Sequence, residues 1–103
     1  MDLDSLYNIK ENKKDKIVVS LVSESHPIFQ AHFPQNHILP GFCHIEILTR
    51  VLGDNINKIN FMKLQQKILP KDIVTYEIET KNNKRKIKIL NKNNIVGKIQ
   101  YEF

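Results

Sequence analysis

One apolar segment, bounded by glycines at residues 41 and 53, constrains the fold of this chain more than any other feature. Between Phe42 and Leu52 the large apolar side chains occupy most of the circumference of a helix, and Gly53 supplies a C-terminal stop. A helix that is apolar on nearly every side is expected to be buried. The sequence therefore predicts one long central helix that the rest of the chain must cover.

The segments around this helix are typical of strands. Residues 17–22 are apolar and β-branched, as in a buried strand, whereas the spacing of Leu3, Leu6, Tyr7 and Ile9 favours one short helix. Beyond the central helix, strands are predicted between turns at 70–72, 82–83 and 91–94. The predicted fold class is α+β, with an antiparallel sheet wrapped around the helix in a single domain, residues 1–103.

Composition limits the setting in which the chain works. Of its 103 residues, 41% are apolar and 26% charged, which is ordinary for a soluble globular protein, and no apolar run approaches the length of a membrane span. The acidic start is unlike a secretory signal, and Cys43 is the lone cysteine, so a cytoplasmic location is predicted. A net charge of +5 favours an acidic partner. A small sheet around one helix leaves an exposed edge, which predicts pairing of two copies.

The loop before the central helix carries the candidate chemistry. It contains His26, His32 and His37, more imidazoles than a simple connection needs. Glu46 follows between apolar neighbours in the predicted helix, where burial would favour its protonated form, as a general acid requires. Gly41 begins the helix, so unpaired N–H groups gather there and could polarise a carbonyl oxygen. These groups together indicate acid/base chemistry next to a carbonyl.

These residues also form a recognisable motif. The sequence His32-Phe33-Pro34, then Pro40-Gly41, then Glu46 resembles the signature of the hotdog-fold 3-hydroxyacyl-acyl-carrier-protein dehydratases, H-F-P-G-x-P-x-x-P-G-x-x-x-x-E or D. The histidine and the acid are fourteen residues apart in both. Residues 68–72 also resemble a later segment of that family. The chain is shorter than typical fatty-acid dehydratases and closer in size to dehydratase-like proteins of aryl-polyene or polyketide pathways.

The resemblance implies a specific catalytic or binding role for each of these residues. His32 would remove the proton alpha to the thioester carbonyl, Glu46 would assist departure of the 3-hydroxyl as water, and the Gly41 N–H would hold the carbonyl oxygen. Phe33 and Pro40 would contact the substrate. The family uses no metal or redox cofactor, takes acyl chains on acyl carrier protein or coenzyme A, and forms its site at the interface of a homodimer, which can assemble further.

Alternatives remain open at this stage. A hotdog acyl-thioesterase would use an acidic residue to activate water, and a non-catalytic module would only bind the acyl thioester or its carrier protein. Glu46 could instead pair with Arg50 one helical turn away. The spacing of His26, His37 and His44 matches no common zinc arrangement, and the lysine-rich residues 81–92 lack the aromatics of a single-strand nucleic-acid platform. Neither a metal site nor nucleic-acid binding is predicted.

Overall fold

The computed structural model describes residues 3–31 and 37–103. Six strands and two helices follow one another along these residues. In chain order they are β1 (Tyr7–Lys13), β2 (Lys16–Leu21), α1 (Pro27–Ala31), α2 (Gly41–Leu52), β3 (Lys58–Leu64), β4 (Ile73–Lys81), β5 (Lys84–Asn91) and β6 (Asn94–Glu102). The predicted α+β arrangement is confirmed, and the predicted central helix is α2.

The six strands form one antiparallel sheet in the order β1-β2-β4-β5-β6-β3. Strands β4, β5 and β6 form a meander, and β3 crosses over to pair with β6 at the far edge. Alternate side chains of the central strands face α2 and form the core with it. The largest fully buried members include Tyr76, Tyr101, Ile87 and Ile89 from the sheet and Ile47 and Leu48 from α2.

The turns of the meander fall where the sequence predicts them. Lys92 and Asn93 link β5 to β6, and both adopt the left-handed conformation, with φ of 53° and 66°. Two successive residues of this kind match the twist of the flanking strands in a tight hairpin. In the β4–β5 turn, Asn82 alone adopts the left-handed conformation, with φ of 57°. Gly53 ends α2 with φ of 72°, as predicted, and its N–H donates to the Thr49 carbonyl.

The N-terminal prediction is wrong. Residues 7–13 form strand β1 rather than a short helix, because they pair with β2 from Tyr7 opposite Leu21 to Lys13 opposite Lys16. Leu6 is fully buried just before the strand. The apolar spacing suited one turn of helix, but backbone pairing with a neighbouring buried strand outweighs so weak a local preference.

The prediction that α2 is buried on all sides is also wrong. Cys43, His44, Ile47 and Leu48 are buried against the sheet, whereas the side of the helix that includes Phe42 is about half exposed. A single sheet can cover only one side of a helix, so Ile45, Val51 and Leu52 are only partly buried by the described part of the chain.

A polar cluster fixes the end of α2 to the sheet. The Asp54 carboxylate, whose side chain is 4% exposed, accepts hydrogen bonds from Arg85 Nε at 2.7 Å and Nη2 at 2.8 Å and from the Tyr101 hydroxyl at 2.5 Å. Burial alone would raise the pKa of Asp54, but the hydrogen bonds from Arg85 and Tyr101 lower it below its usual value. The cluster therefore holds a buried carboxylate in its charged form.

Within the ranges 3–31 and 37–103, none of the helices has the length and apolar character that a membrane span needs.

Candidate active site

A pocket of about 370 Å³ lies beside the start of α2. Its wall is formed by residues 38–41, which lead into the helix, by His44 one turn further on, and by residues 64–68 after β3. Most of these side chains are apolar, and the polar ones include two glutamines and Lys67. A pocket of this kind, largely apolar with a few polar groups, suits a small organic ligand.

The helix start in this pocket carries no side-chain cap. Pro40 precedes the helix with an extended backbone, φ −62° and ψ 145°, and its side chain makes no capping hydrogen bond. The Cys43 N–H donates to the Pro40 carbonyl at 3.1 Å. Backbone N–H groups of a first turn without a side-chain cap, together with the positive end of the helix dipole, favour a ligand oxygen there.

Gly41 also has a packing role that the sequence analysis missed. A Cβ at this position would lie 2.9 Å from Cδ1 of Leu64 and 3.4 Å from the terminal methyl of Met62. The Leu64 methyl would have to shift to admit such a Cβ, so glycine lets the start of α2 rest on the end of β3 with that side chain in place. The helix thus begins at Gly41, and the same residue allows close contact with the edge strand β3.

Glu46 does not lie in the buried environment that the sequence predicted. Its side chain is 46% exposed, on the same side of α2 as Phe42 one turn earlier, and its Oε2 is 3.8 Å from Nε of Arg50. Arg50 forms a closer ion pair with Asp4. The predicted pairing with Arg50 is confirmed, but it is loose, because Asp4 holds the same guanidinium more tightly.

His44 is the polar residue that sequence reasoning undervalued. It is 1% exposed, its Nδ1 lies 2.8 Å from the Tyr76 hydroxyl, and the two rings meet edge to face with centroids 5.7 Å apart. Burial lowers the pKa of His44 to about 4, so the ring is neutral near pH 7. The signal was present in the sequence as an imidazole three residues after Gly41, on the same face of the helix.

The remaining predicted residues fall into two groups. Pro40 and Gly41 line the pocket, whereas His32 and Phe33 lie outside the described residues.

His26 has a local role. The Ile28 N–H donates to its Nδ1 at 3.0 Å, so its Nε2 carries the proton and forms a hydrogen bond with the Ser5 hydroxyl at 3.1 Å. Across the described part of the chain, no three His, Cys, Asp or Glu side chains are grouped so that they could hold a metal ion.

A larger groove of about 600 Å³ crosses the sheet and is lined chiefly by lysine and glutamate side chains. Lys88 pairs across the strands with Glu77 on one side and Lys98 on the other. Its neighbours Ile87 and Ile89 face α2, so this charged row faces the opposite way. Because an acyl chain would gain little from such a charged lining, the smaller pocket beside Gly41 is the better candidate.

Strand β3 forms one edge of the sheet and exposes apolar side chains. Ile59, Phe61, Met62 and Leu64 are each between 40% and 49% exposed. Of these, Met62 and Leu64 pair with Ile99 and Gly97 of β6 and contact the start of α2. An edge strand with this many exposed apolar residues is a surface suited to association with another chain.

Comparison with known proteins places these features in a family. The ApeI-like family, described as ApeI dehydratase, matches residues 8–98. The chain is similar to the 3-hydroxyacyl-acyl-carrier-protein dehydratase FabZ of Ruminiclostridium cellulolyticum, at 33% identity over 90 residues that cover 75% of this chain and 63% of that protein. The chain thus spans less than two thirds of the length of this relative.

Two solved structures share the fold. The dehydratase heterocomplex ApeI:P from Xenorhabdus doucetiae superposes with a TM-score of 0.73 at 14% identity, and the match covers 92% of each chain. The phenylacetic acid degradation protein PaaI from Thermus thermophilus superposes with a TM-score of 0.59 at 8% identity, covering 96% of this chain and 93% of that one. The predicted hotdog fold is confirmed, and the match over residues 8–98 shows that the chain belongs to the ApeI-like dehydratase family.

Proposed function

We propose that this protein removes water from a 3-hydroxyacyl thioester to give a trans-2-enoyl thioester in lipid biosynthesis. The observation that carries the proposal is the helix start in the motif: Pro40 and Gly41 open α2 on the wall of a mostly apolar pocket. That position suits the thioester carbonyl of a substrate whose acyl chain lies along the apolar wall. The similarity to FabZ, whose name states this reaction, supports the same conclusion.

In the proposed reaction His32 accepts the proton from the carbon alpha to the thioester carbonyl. Negative charge then develops on the carbonyl oxygen, and the Gly41 N–H stabilises it. The electron pair forms the double bond as the bond from the beta carbon to the hydroxyl breaks. Glu46 gives a proton to that hydroxyl, which leaves as water. Phe33 and Pro40 complete the walls around the acyl group.

A second copy of the chain is proposed to complete the site. Glu46 and Phe42 lie on the side of α2 that one chain leaves half exposed, and the edge strand β3 exposes Met62 and Leu64 nearby. Pairing of two β3 edges would bury these apolar side chains and remove Glu46 from bulk water. The related ApeI:P structure is a heterocomplex, so the alternative partner is a second, dehydratase-like chain.

The proposed carrier of the acyl group is acyl carrier protein or coenzyme A, and the proposed location is the cytoplasm. A net charge of +5 favours association with either anionic carrier. The reducing cytoplasm suits a chain whose lone cysteine, Cys43, is free and buried. The proposed reaction requires neither a metal nor a redox cofactor.

The test is turnover of a 3-hydroxyacyl-carrier-protein thioester, followed by mass spectrometry of the acyl product. The expected product is lighter than the substrate by one water, and His32→Ala and Glu46→Gln are expected to lower its rate of formation by at least about 100-fold. His37→Ala is the matched control in the same loop and should retain most of the activity. Circular dichroism and the molar mass in solution show whether each variant keeps the fold and the assembly.

The products also separate the alternatives. Release of a free thiol with the 3-hydroxyacid, and no enoyl thioester, would identify a thioesterase instead. Binding of the acyl carrier protein without any turnover would identify a non-catalytic module. Full activity in His32→Ala would contradict the proposed assignment of the base.

A further inference from the structure

His44 is a buried polar side chain that the proposed mechanism does not use. It is 1% exposed, and its ring forms part of the wall of the pocket beside the helix start. A buried imidazole in an otherwise apolar layer has a desolvation cost, which its hydrogen bonds must offset. Tyr76 supplies one such bond, to Nδ1. Within residues 3–31 and 37–103, Tyr76 is the one hydrogen-bond partner of His44, so the second ring nitrogen, Nε2, makes no hydrogen bond to that part of the chain.

The partner of His44 determines where its proton lies. Tyr76 is fully buried, and its hydroxyl has His44 Nδ1 as its hydrogen-bond partner among the described residues. If Nδ1 carried the proton, it would donate to the Tyr76 oxygen, and the hydroxyl proton would be left buried without an acceptor. The favourable arrangement is the reverse, in which the Tyr76 hydroxyl donates to Nδ1. A neutral ring then carries its proton on Nε2.

His44 and the helix start lie at the same pocket. His44 follows Gly41 by three residues, so the two lie on one face of α2 about one turn apart. Both line the same pocket. The low pKa of His44, about 4, keeps the ring neutral, so it would present one N–H rather than a full positive charge. The neighbouring wall side chains Ile38, Leu39 and Ile68 are apolar, and neither Gln65 nor Gln66 is hydrogen-bonded to His44, so a ligand oxygen can use that donor.

We propose that His44 Nε2–H is a second hydrogen-bond donor, beside the Gly41 N–H, for the thioester carbonyl oxygen of the substrate, with Tyr76 as the residue that fixes its tautomer. This inference rests on the proposed function, because it assigns a role within the same pocket. As the alpha proton leaves, charge grows on the carbonyl oxygen, and a neutral donor strengthens its hydrogen bond without transferring its own proton. His44 would therefore contact substrate, whereas Tyr76 is a positioning residue.

The first test reads the tautomer directly. In protein labelled with nitrogen-15, the two ring nitrogens of His44 are expected to show one protonated Nε2 and one unprotonated Nδ1 at pH 7. Tyr76→Phe removes the donor to Nδ1 and should produce a mixture of both tautomers. Addition of a saturated acyl-pantetheine thioester, which has no 3-hydroxyl to eliminate, should move the Nε2–H proton signal downfield. An Nδ1-protonated ring, or an Nε2–H signal unchanged by the thioester, overturns the proposal.

The second test measures catalysis. His44→Phe removes the donor and should lower kcat by about 100-fold with KM changed less than threefold, because the bond strengthens as charge develops. His44→Gln keeps an N–H donor of similar reach and should recover part of that loss. Cys43→Ala, at a buried neighbouring position that does not line the pocket, is the matched control. Wild-type kcat in a folded His44→Phe variant, or no recovery of kcat in a folded His44→Gln variant, overturns the proposal.

The two tests separate this inference from the proposed function. A downfield shift of the His44 signal without any turnover of the 3-hydroxyacyl thioester would support the proposed hydrogen bond and contradict the proposed dehydratase function. Turnover with an unchanged His44 signal would support the dehydratase function and contradict the proposed role of His44. If His44→Phe fails to fold, the tautomer measurement on wild-type protein and on Tyr76→Phe still decides the result.

Discussion

On one face of α2, Cys43, His44, Ile47 and Leu48 pack against the sheet and are almost completely excluded from solvent. On the other face, Phe42 is 46% exposed and the Glu46 side chain is also 46% exposed, so the described part of the chain covers them only in part. The buried face packs against the sheet of the same chain, and Nδ1 of its imidazole has a hydrogen-bond partner in Tyr76. The open face carries the acid of the proposed reaction and an exposed aromatic ring.

This difference separates two tasks on a single helix. The buried face stabilises the fold, and it also places Gly41 and His44 at the pocket wall. The open face contributes little to the stability of one chain, so its apolar and acidic groups are available for an interface. A helix with two such faces allows the fold to form first and the proposed site to be completed by association.

The largest expected contrast between the two faces is in stability. Ile47→Ala on the buried face should lower the free energy of unfolding by about 2–5 kcal/mol, since it leaves a cavity in a packed core. Phe42→Ala on the open face should lower it by less than half as much. Instead, Phe42→Ala should weaken dimerisation, measured by sedimentation at several concentrations. An equal loss of stability in both variants, in urea unfolding, would contradict the distinction.

The buried face should also make stability depend on pH. The pKa of His44 is lowered to about 4 in the folded protein, from an ordinary value of 6.5, so below pH 6.5 the unfolded chain binds a proton that the folded chain does not. The free energy of unfolding should therefore fall as pH decreases from about 6.5 to 4, by up to about 3 kcal/mol. The measurement is urea unfolding across that range. His44→Phe is the control and should lose most of this dependence, leaving only the carboxylate contributions.

The smallest effect is expected from the ion pairs on the open face. Arg50→Gln removes the contacts with Glu46 and Asp4, and because all three side chains are well exposed it should change the free energy of unfolding by less than about 1 kcal/mol. Arg85→Gln is the matched comparison, because it leaves the buried Asp54 carboxylate without its ion pair and should be several times more destabilising. Similar losses in thermal or urea unfolding would show that Arg50 has a structural role.

Much of the fold could be predicted from local patterns. The bounds of α2 followed from the apolar residues between Gly41 and Gly53, and the β4–β6 meander followed from alternating apolar residues and asparagine-rich turns. These signals are strong because a few neighbouring residues determine them. The segment at residues 7–13 was misassigned because its strand depends on pairing with β2, a contact that its own sequence does not specify.

The site was less accessible to sequence reasoning. The motif located Pro40 and Gly41 at the pocket, and the roles of His32, Phe33 and Glu46 stay predictions. Burial of Glu46 was overestimated because a helical wheel counts apolar neighbours without showing which side the sheet covers. The pairing of His44 with Tyr76 joins residues 32 positions apart, so no local pattern could have indicated it.

The sequence by itself determined the types of the elements from α2 onward, the helix start at Gly41 and the chemical identity of the groups near it, because these depend on side-chain chemistry and short-range backbone preference. Only the tertiary structure decided which face of α2 is covered, which residue is the hydrogen-bond partner of His44, and which strand remains as an apolar edge. Those outcomes depend on how distant segments pack. The free energy of packing arises from contacts between residues that are far apart in the sequence and meet only when the chain folds.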